Sequence, residues 1–134
     1  METDLIIKEI DEAHKKINGA LMNKNTNAYL SCFDESLNYT EANGETLNKK
    51  QLAIDIDRYF NKTREISTTH YRIKSAVEGG IFSEKIARKS VLQIKKLLLF
   101  SKKQTIQTEE IYHWKNIDGI WKIIKVEITL EEKY

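Results

Sequence analysis

The sequence has 134 residues, of which 31% are charged and 40% hydrophobic, and its formal net charge is +2. That size and composition predict one folded domain spanning residues 1–134, and they disfavour both disorder and a strong electrostatic field for nucleic acid. The acidic start, METDLIIKEIDEAHKK, and the absence of a long apolar run predict neither a signal peptide nor a membrane span. The single cysteine, Cys32, cannot form an internal disulfide. We therefore expect a cytoplasmic protein without a nucleic-acid or membrane partner.

Three segments of the first half have helical patterns. Apolar residues recur every three or four positions over residues 5–22, which predicts an amphipathic helix. Residues 28–33 predict a short second helix. Asn48 and Gln51 have the spacing of a capping box, so a third helix is expected to begin there and to continue to Phe60.

Extended segments dominate the rest of the chain. Residues 37–42 have strand character, and Asn43-Gly44 is the strongest signal for a two-residue hairpin turn back into residues 45–47. Four long strands are predicted at residues 66–78, 81–100, 105–115 and 120–130, separated by turns at 79–80, 101–104 and 116–119. Connections this short require antiparallel neighbours, so we expect a meander of long strands.

The last predicted strand is apolar on both faces. Trp121 and Ile123 share one face, while the other carries four aliphatic residues: Ile124, Val126, Ile128 and Leu130. Either a bulge near residues 123–124 changes the alternation, or the outer face is covered, for instance by a second copy of the chain. From this pattern, Ile124, Val126 and Ile128 are predicted as a homodimer interface.

The order of these elements resembles a known superfamily. The segment at residues 29–35, the Gly44 turn with a helix after it, and the closing Asp118-Gly119-Ile120-Trp121-Lys122-Ile123 are similar to NTF2-like, SnoaL-like proteins of the small DUF4440 type. The resemblance implies a cystatin-like α+β cone, in which three N-terminal helices pack in a strongly curved antiparallel sheet with four long C-terminal strands. It also implies an apolar pocket at the open end, usually in a homodimer.

The superfamily includes isomerases, cyclases and dehydratases, so the resemblance implies that a proton acceptor could be present. Catalysis of that kind needs a carboxylate whose pKa is raised by burial, and a donor opposite it. The aspartate of related isomerases would fall near Thr40, with Glu41 one position away. Glu41 and His14 are the catalytic candidates, although Glu41 beside a hairpin is more often solvated and His14 more often a hydrogen-bonded residue of the helix seam.

Five aromatic residues are candidates for a pocket wall, and ordinary core packing is the alternative for them. They are Tyr29, Tyr39, Tyr59, Tyr112 and Trp114. By alternation His70 belongs with Thr68 and Arg72, a polar set that predicts a solvent-exposed face. The histidine spacings match no zinc motif, and we expect neither a metal nor a cofactor. Lysines on both sides of the apolar run at 97–100 are interpreted as protection of a strand end.

Three functions remain open from the sequence. The first is an NTF2-like homodimer of unestablished activity that binds a small apolar or aromatic ligand in the cone. The second is an enzyme of the isomerase, cyclase or dehydratase kind, using a pocket carboxylate or histidine. The third is an oligomerisation module that acts through its outer sheet face.

Overall fold

The structure is a computed structural model that describes residues 2–97 and 99–134. It contains helices α1 (Glu2–Met22), α2 (Thr26–Leu30) and α3 (Lys49–Lys62), and strands β1 (Phe33–Thr40), β2 (Thr46–Leu47), β3 (Thr63–Glu78), β4 (Ile81–Leu97), β5 (Phe100–Ile117) and β6 (Ile120–Lys133). All six strands form one sheet in the order β2-β1-β6-β5-β4-β3. The predicted α+β class, with helices first and a curved sheet after, is confirmed.

The helices follow from their apolar spacing and their caps. Ile10, His14 and Ile17 are three or four residues apart on α1, and all three are buried. In α3 the predicted capping box is present, because Asn48 accepts from the Gln51 backbone and the Gln51 side chain accepts from the Asn48 backbone. The second helix differs from its prediction: it occupies residues 26–30, and the chain is already extended from residue 33.

The four long strands are antiparallel neighbours, as predicted. Strand β1 lies beside β6 in parallel, with Tyr39 opposite Val126. A parallel pair needs a long connection, and helix α3 with strands β3 to β5 supplies it. The sequence did not predict this pairing, which brings β1 to the same sheet as the C-terminal strands.

Two of the predicted turns are present and two differ. Gly79-Gly80 and Asp118-Gly119 have the positive φ angles that a tight hairpin turn requires. At Asn43-Gly44 only Gly44 has positive φ, and the connection runs from residue 41 to 45. The turn expected at residues 101–104 instead lies between Leu97 and Phe100, which are paired. The apolar run carried no turn residue to reveal it, and its Leu98 lies outside the described residues.

A bulge in β6 changes the faces predicted for its side chains. Trp114 pairs with Ile123 and His113 pairs with Lys125, so Ile124 is the extra residue. After the bulge, Val126 is 0% exposed in the core. This corrects the assignment of Val126 and Ile128 to the outer face: Val126 pairs with the buried Tyr112 and points inward. Ile124 is half-buried at the bulge.

The core lies between the helices and the inner face of the sheet. This face carries alternate side chains of the long strands, and its fully buried members include Phe82, Ile86, Trp114 and Ile123. Ile10 and Ile17 of α1 pack in the same cluster. Among the described residues, no helix is long and apolar enough to cross a membrane.

Candidate functional site

The inner face encloses a cavity of about 280 Å³, which we name the cone cavity. Aliphatic side chains from the helices and the sheet supply much of its wall. They are Ile17, Leu21, Leu52, Ile56, Ile66, Leu92, Ile106 and Ile128. Polar and charged side chains supply the rest of the wall, and a combination of apolar surface with polar groups that fix orientation is typical of a small-molecule site.

Four of the five predicted aromatic residues line this cavity: Tyr29, Tyr39, Tyr59 and Tyr112. Burial is the main reason that the pKa of each phenol is raised, to about 12 for Tyr59 and well above the ordinary value for Tyr39 and Tyr112. The hydroxyl groups therefore keep their protons at neutral pH and can donate hydrogen bonds.

One buried cluster of polar residues, which we name the Arg88 cluster, borders the cavity. Arg88 Nη1 donates to Asn18 Oδ1 at 2.7 Å and to Thr68 Oγ1 at 2.9 Å. Arg88 Nε lies 3.5 Å from Glu110 Oε1. Glu110 also accepts from the hydroxyls of Tyr112 and Thr108, each at 2.6 Å. The Glu110 carboxylate is thus well supplied with donors.

The guanidinium of Arg88 still has an unused donor. Arg88 is 8% exposed, and its Nη2 has no hydrogen-bond partner among the described residues. Burial is the largest influence and opposes the positive charge, but Glu110, Tyr112 and Tyr29 together outweigh it and raise the pKa of Arg88, so the charge is retained. A buried donor without a partner is costly, and Arg88 is one of the residues that line the cone cavity.

Charged side chains of both signs surround the exposed end of the cavity, which we name the rim. Glu41, Asp55 and Glu131 are its acidic members, and Lys62 and Lys133 its basic ones. Partial burial, followed by repulsion from Asp55, raises the pKa of Glu41. The structure therefore places the first catalytic candidate at the cavity, although at its rim.

A second cluster, the Glu84 cluster, lies beside the cavity in the core. Glu84 Oε2 accepts from Trp114 Nε1 at 2.6 Å and is 2.7 Å from His14 Nε2. Glu84 Oε1 accepts from Arg72 Nε at 3.0 Å, and Arg72 also pairs with Asp11 at 2.7 Å. Burial alone would raise the pKa of Glu84, but these donors outweigh it and lower the pKa.

Two predicted site residues therefore belong to the core. Trp114 is 0% exposed and is absent from the cavity lining, which corrects its prediction as a pocket wall. His14 is 1% exposed and also lies outside the lining. It adopts the alternative that the sequence left open, a hydrogen-bonded histidine in the helix seam. Its Nδ1 has no partner among the described residues.

The placement of His70 also differs from its prediction. Its ring centroid lies 4.5 Å from that of His14, and its Nδ1 is 3.0 Å from Asn18 Nδ2. Thr68 and Arg72, which share its face, belong to the two buried clusters and not to a wet surface. Burial, and then the neighbouring His14 and Arg88, lower the pKa of His70 to about 4.

Sequence reasoning missed the charged residues of the inner face: Glu84, Arg88 and Glu110. A signal was present, because Phe82, Glu84, Ile86 and Arg88 are two residues apart and share one face of β4, where they alternate with half-buried positions. A charge on an otherwise apolar face is the informative observation, since buried charges are rare. Within residues 2–97 and 99–134, no group of three or more potential ligands is placed to hold a metal ion.

Comparison by sequence finds no relative of the chain. No family model matches it. No curated protein matches it either.

Comparison by structure finds many similar chains. A scytalone dehydratase-like protein from Novosphingobium aromaticivorans is 14% identical, with 99% of this chain and 91% of that chain covered and a TM-score of 0.85. A nuclear transport factor 2 (NTF2-like) superfamily protein from Salmonella enterica is 14% identical, covering 94% and 91%, with a TM-score of 0.81. A hexachlorocyclohexane dehydrochlorinase of the LinA type is 10% identical, covering 100% and 93%, with a TM-score of 0.76. Identities this low establish a shared fold and nothing further.

Proposed function

We propose that this chain, whose fold is the NTF2-like fold of the SnoaL type, binds a small, largely apolar and uncharged molecule in its cone cavity. An oxygen of that molecule, such as a carbonyl oxygen, accepts a hydrogen bond from Arg88 Nη2. The observation that carries this proposal is the buried, unpartnered Nη2 beside an aliphatic and aromatic wall.

The balance of charge favours an uncharged ligand over an anion. Arg88 is already paired with Glu110, so a carboxylate placed beside them would bring an additional buried charge without a counter-charge. The cavity is lined by three basic residues, Lys62, Arg88 and Lys133, and by four acidic ones, Glu41, Asp55, Glu110 and Glu131, for a formal sum of 3 − 4 = −1. A neutral acceptor uses the free donor without that penalty.

Binding of matched naphthalene compounds tests the proposal. Prodan, a fluorescent aryl ketone, would report occupancy of the cavity, and three competitors of similar shape would displace it: acetylnaphthalene, ethylnaphthalene and naphthoate. We expect the ketone to bind about tenfold more tightly than the hydrocarbon, because a hydrogen bond from a charged donor contributes about 1.5 kcal/mol. Naphthoate should bind most weakly.

Replacement of Arg88 separates the contribution of the hydrogen bond from that of the apolar wall. Arg88→Met should still bind ethylnaphthalene but lose the preference for the ketone, while Arg58→Met, at an arginine whose side chain is 74% exposed, should keep it. Near-ultraviolet circular dichroism would check that both variants are folded. Failure of every compound to displace Prodan, or strongest binding by naphthoate, would contradict the proposal.

Proton-transfer catalysis in the same cavity is a second candidate function. It is supported by the raised pKa of Glu41 and by its position in the lining. It is also supported by structural neighbours described as a dehydratase and a dehydrochlorinase. In this hypothesis Glu41 accepts a proton from the ligand, and Arg88 stabilises negative charge on the acceptor oxygen. Acetylnaphthalene deuterated at its methyl group should then lose deuterium to water in the presence of the wild-type protein. This exchange should stop in Glu41→Gln.

We also propose that the outer sheet face forms a homodimer. Tyr71, Ala87 and Leu130 lie in one row across the sheet, since Tyr71 pairs with Ala87, and Glu109 pairs with both Ala87 and Leu130. Tyr71 is 68% exposed and Leu130 is 40% exposed. Light scattering should show monomers for Tyr71→Asp and a dimer for the cavity variant Tyr59→Ala. A monomeric wild-type protein would exclude this part of the proposal.

A further inference from the structure

The turn between β4 and β5 exposes a group of apolar side chains. We name the described residues Leu97, Leu99 and Phe100 the β4–β5 tip. Leu97 is 68% exposed, Leu99 88% and Phe100 63%. Scattered exposed apolar residues are ordinary, but adjacent ones at the end of a hairpin mark an interaction surface. None of the described residues among 95–97 and 99–103 lines the cone cavity, so the tip is independent of the proposed ligand site.

Four lysines surround the tip. Lys95 and Lys96 precede it on β4, Lys102 and Lys103 follow it on β5, and all four are exposed. They lie in paired parts of the hairpin, since Lys102 is opposite Ile94 and Lys103 is opposite Gln93. Residues 91–108 contain no acidic residue. The end of this hairpin therefore carries exposed apolar side chains that are flanked on both strands by lysines.

We propose that the β4–β5 tip binds the surface of a lipid bilayer containing anionic headgroups. The apolar side chains enter the boundary between headgroups and acyl chains, where burial of apolar area favours binding. The stems of Lys96, Lys102 and Lys103 extend beside them and keep their ammonium groups among the lipid headgroups, while Lys95 Nζ donates to the carbonyl oxygen of Asn61 at 3.0 Å. Anionic lipid attracts basic residues close to the surface. The sequence predicted no membrane partner because it has no long apolar run, but binding to a bilayer surface does not require a segment that spans the bilayer.

Two other occupants fit the tip less well. In a contact between two tips, the lysines of one copy would lie near those of the other, and like charges repel. Single-stranded nucleic acid is bound by basic grooves with aromatic side chains on which bases stack. Here the point of the hairpin has a single aromatic residue, Phe100, beside aliphatic ones. A bilayer with anionic headgroups matches both features of the tip, because its apolar acyl chains lie directly beneath a negatively charged surface.

Flotation of the full chain with vesicles tests the proposal. We expect binding to an equimolar mixture of phosphatidylcholine and phosphatidylserine, and at least tenfold weaker binding to phosphatidylcholine alone, since each lysine at an anionic surface contributes about fivefold. The binding should weaken as salt is added. Leu99→Asp should reduce it about tenfold or more by placing a charge at the point of insertion.

Matched variants and assays decide between the alternatives. Ile120→Asp, at a 60% exposed isoleucine in another hairpin, should bind as wild type, and circular dichroism would confirm that both variants fold. The pair Lys102→Glu with Lys103→Glu should lose the preference for phosphatidylserine, whereas Lys8→Glu with Lys115→Glu should keep most of it. Equal losses in the control variants would overturn the proposal. So would no flotation at all, stronger retention of single-stranded DNA, or conversion to monomers by Leu99→Asp.

Discussion

The Glu84 and Arg88 clusters are built on the same strand, four residues apart, and they differ in how completely their charges are satisfied. The carboxylate of Glu84 is bonded to His14, Trp114 and Arg72, and its side chain is 0% exposed. Arg88 uses Nη1 and Nε and leaves Nη2 without a partner among the described residues. A buried charged group whose hydrogen-bonding atoms are all paired stabilises the fold, whereas one with an unpaired donor can bind a ligand.

Helix α1 explains this difference. Its middle covers Glu84, because Asp11 and His14 complete the contacts of Arg72 and Glu84. Asn18, one turn further on, reaches Arg88. The helix then ends at Met22, and beyond it the inner face is bordered by the cone cavity and not by another turn of helix. The length of α1 therefore determines which of the two buried charges is covered by the helix and which borders the cone cavity.

Removal of Glu84 should produce the largest effect, because it breaks the closed cluster. Glu84→Ala leaves Arg72, His14 and Trp114 without their shared acceptor, and breaking a buried ion pair costs about 3–5 kcal/mol. Urea unfolding would measure the loss of stability. As a control, Glu109→Ala removes a partner of Lys85 on the outer face, where an ion pair contributes at most about 1 kcal/mol. Similar losses in both variants would show that the Glu84 cluster is not a structural centre.

Much of the fold could be predicted from the sequence, because local patterns determine it. The spacing of Ile10 and Ile17, the Asn48 cap and the Gly79-Gly80 turn each act through neighbouring residues, and each prediction is confirmed. The parallel pairing of β1 with β6 depends on chain segments about ninety residues apart, so no local pattern contains it. The bulge at Ile124 was one of two alternatives, and only the pairing of neighbouring strands distinguishes them.

The candidate site could be predicted only for its wall. Tyrosines on helices and strands indicated an aromatic pocket, and four of them line the cavity. Trp114 was misplaced because alternation within one strand does not show how far a cavity extends. Arg88 and Glu110 were missed because a buried charge is tolerated only beside an opposite charge, and here the two charges lie on different strands. The chemistry of the site thus arises from tertiary contacts.

Tyr112 contacts both clusters, so removal of its hydroxyl weakens the Arg88 cluster while leaving the contact with the Glu84 cluster in place. The ring of Tyr112 is stacked on His14 with centroids 5.6 Å apart, and its hydroxyl donates to Glu110. Tyr112→Phe keeps the stacking and removes one hydrogen bond to a carboxylate, which should cost about 2 kcal/mol of stability. Tyr59→Phe removes a hydroxyl from the same cavity and is the matched control. If Tyr59→Phe is as costly as Tyr112→Phe, the bond to Glu110 contributes nothing specific.

The smallest expected effect is a pH dependence from His70, which lies where the clusters meet. His14, Asn18, Arg72, Glu84 and Arg88 face its ring or act on its charge. Its pKa is about 4 in the folded protein, against an ordinary value of 6.5. Between pH 4 and 6.5 the unfolded chain therefore binds a proton at this residue that the folded protein does not.

The free energy of unfolding should consequently fall as the pH is lowered from 6.5 to 4. Below pH 4, His70 should cause no further loss of stability. The contribution is about 1.5 kcal/mol, because solvent reaches part of the ring and screens its interactions. His70→Asn cannot titrate, so the difference in unfolding free energy between the variant and the wild type should change across the window by that amount. Carboxylates that titrate in the same range cancel in this difference. A constant difference from pH 4 to pH 7 would show that His70 is protonated as easily when folded as when unfolded, and that the junction of the two clusters is open to water.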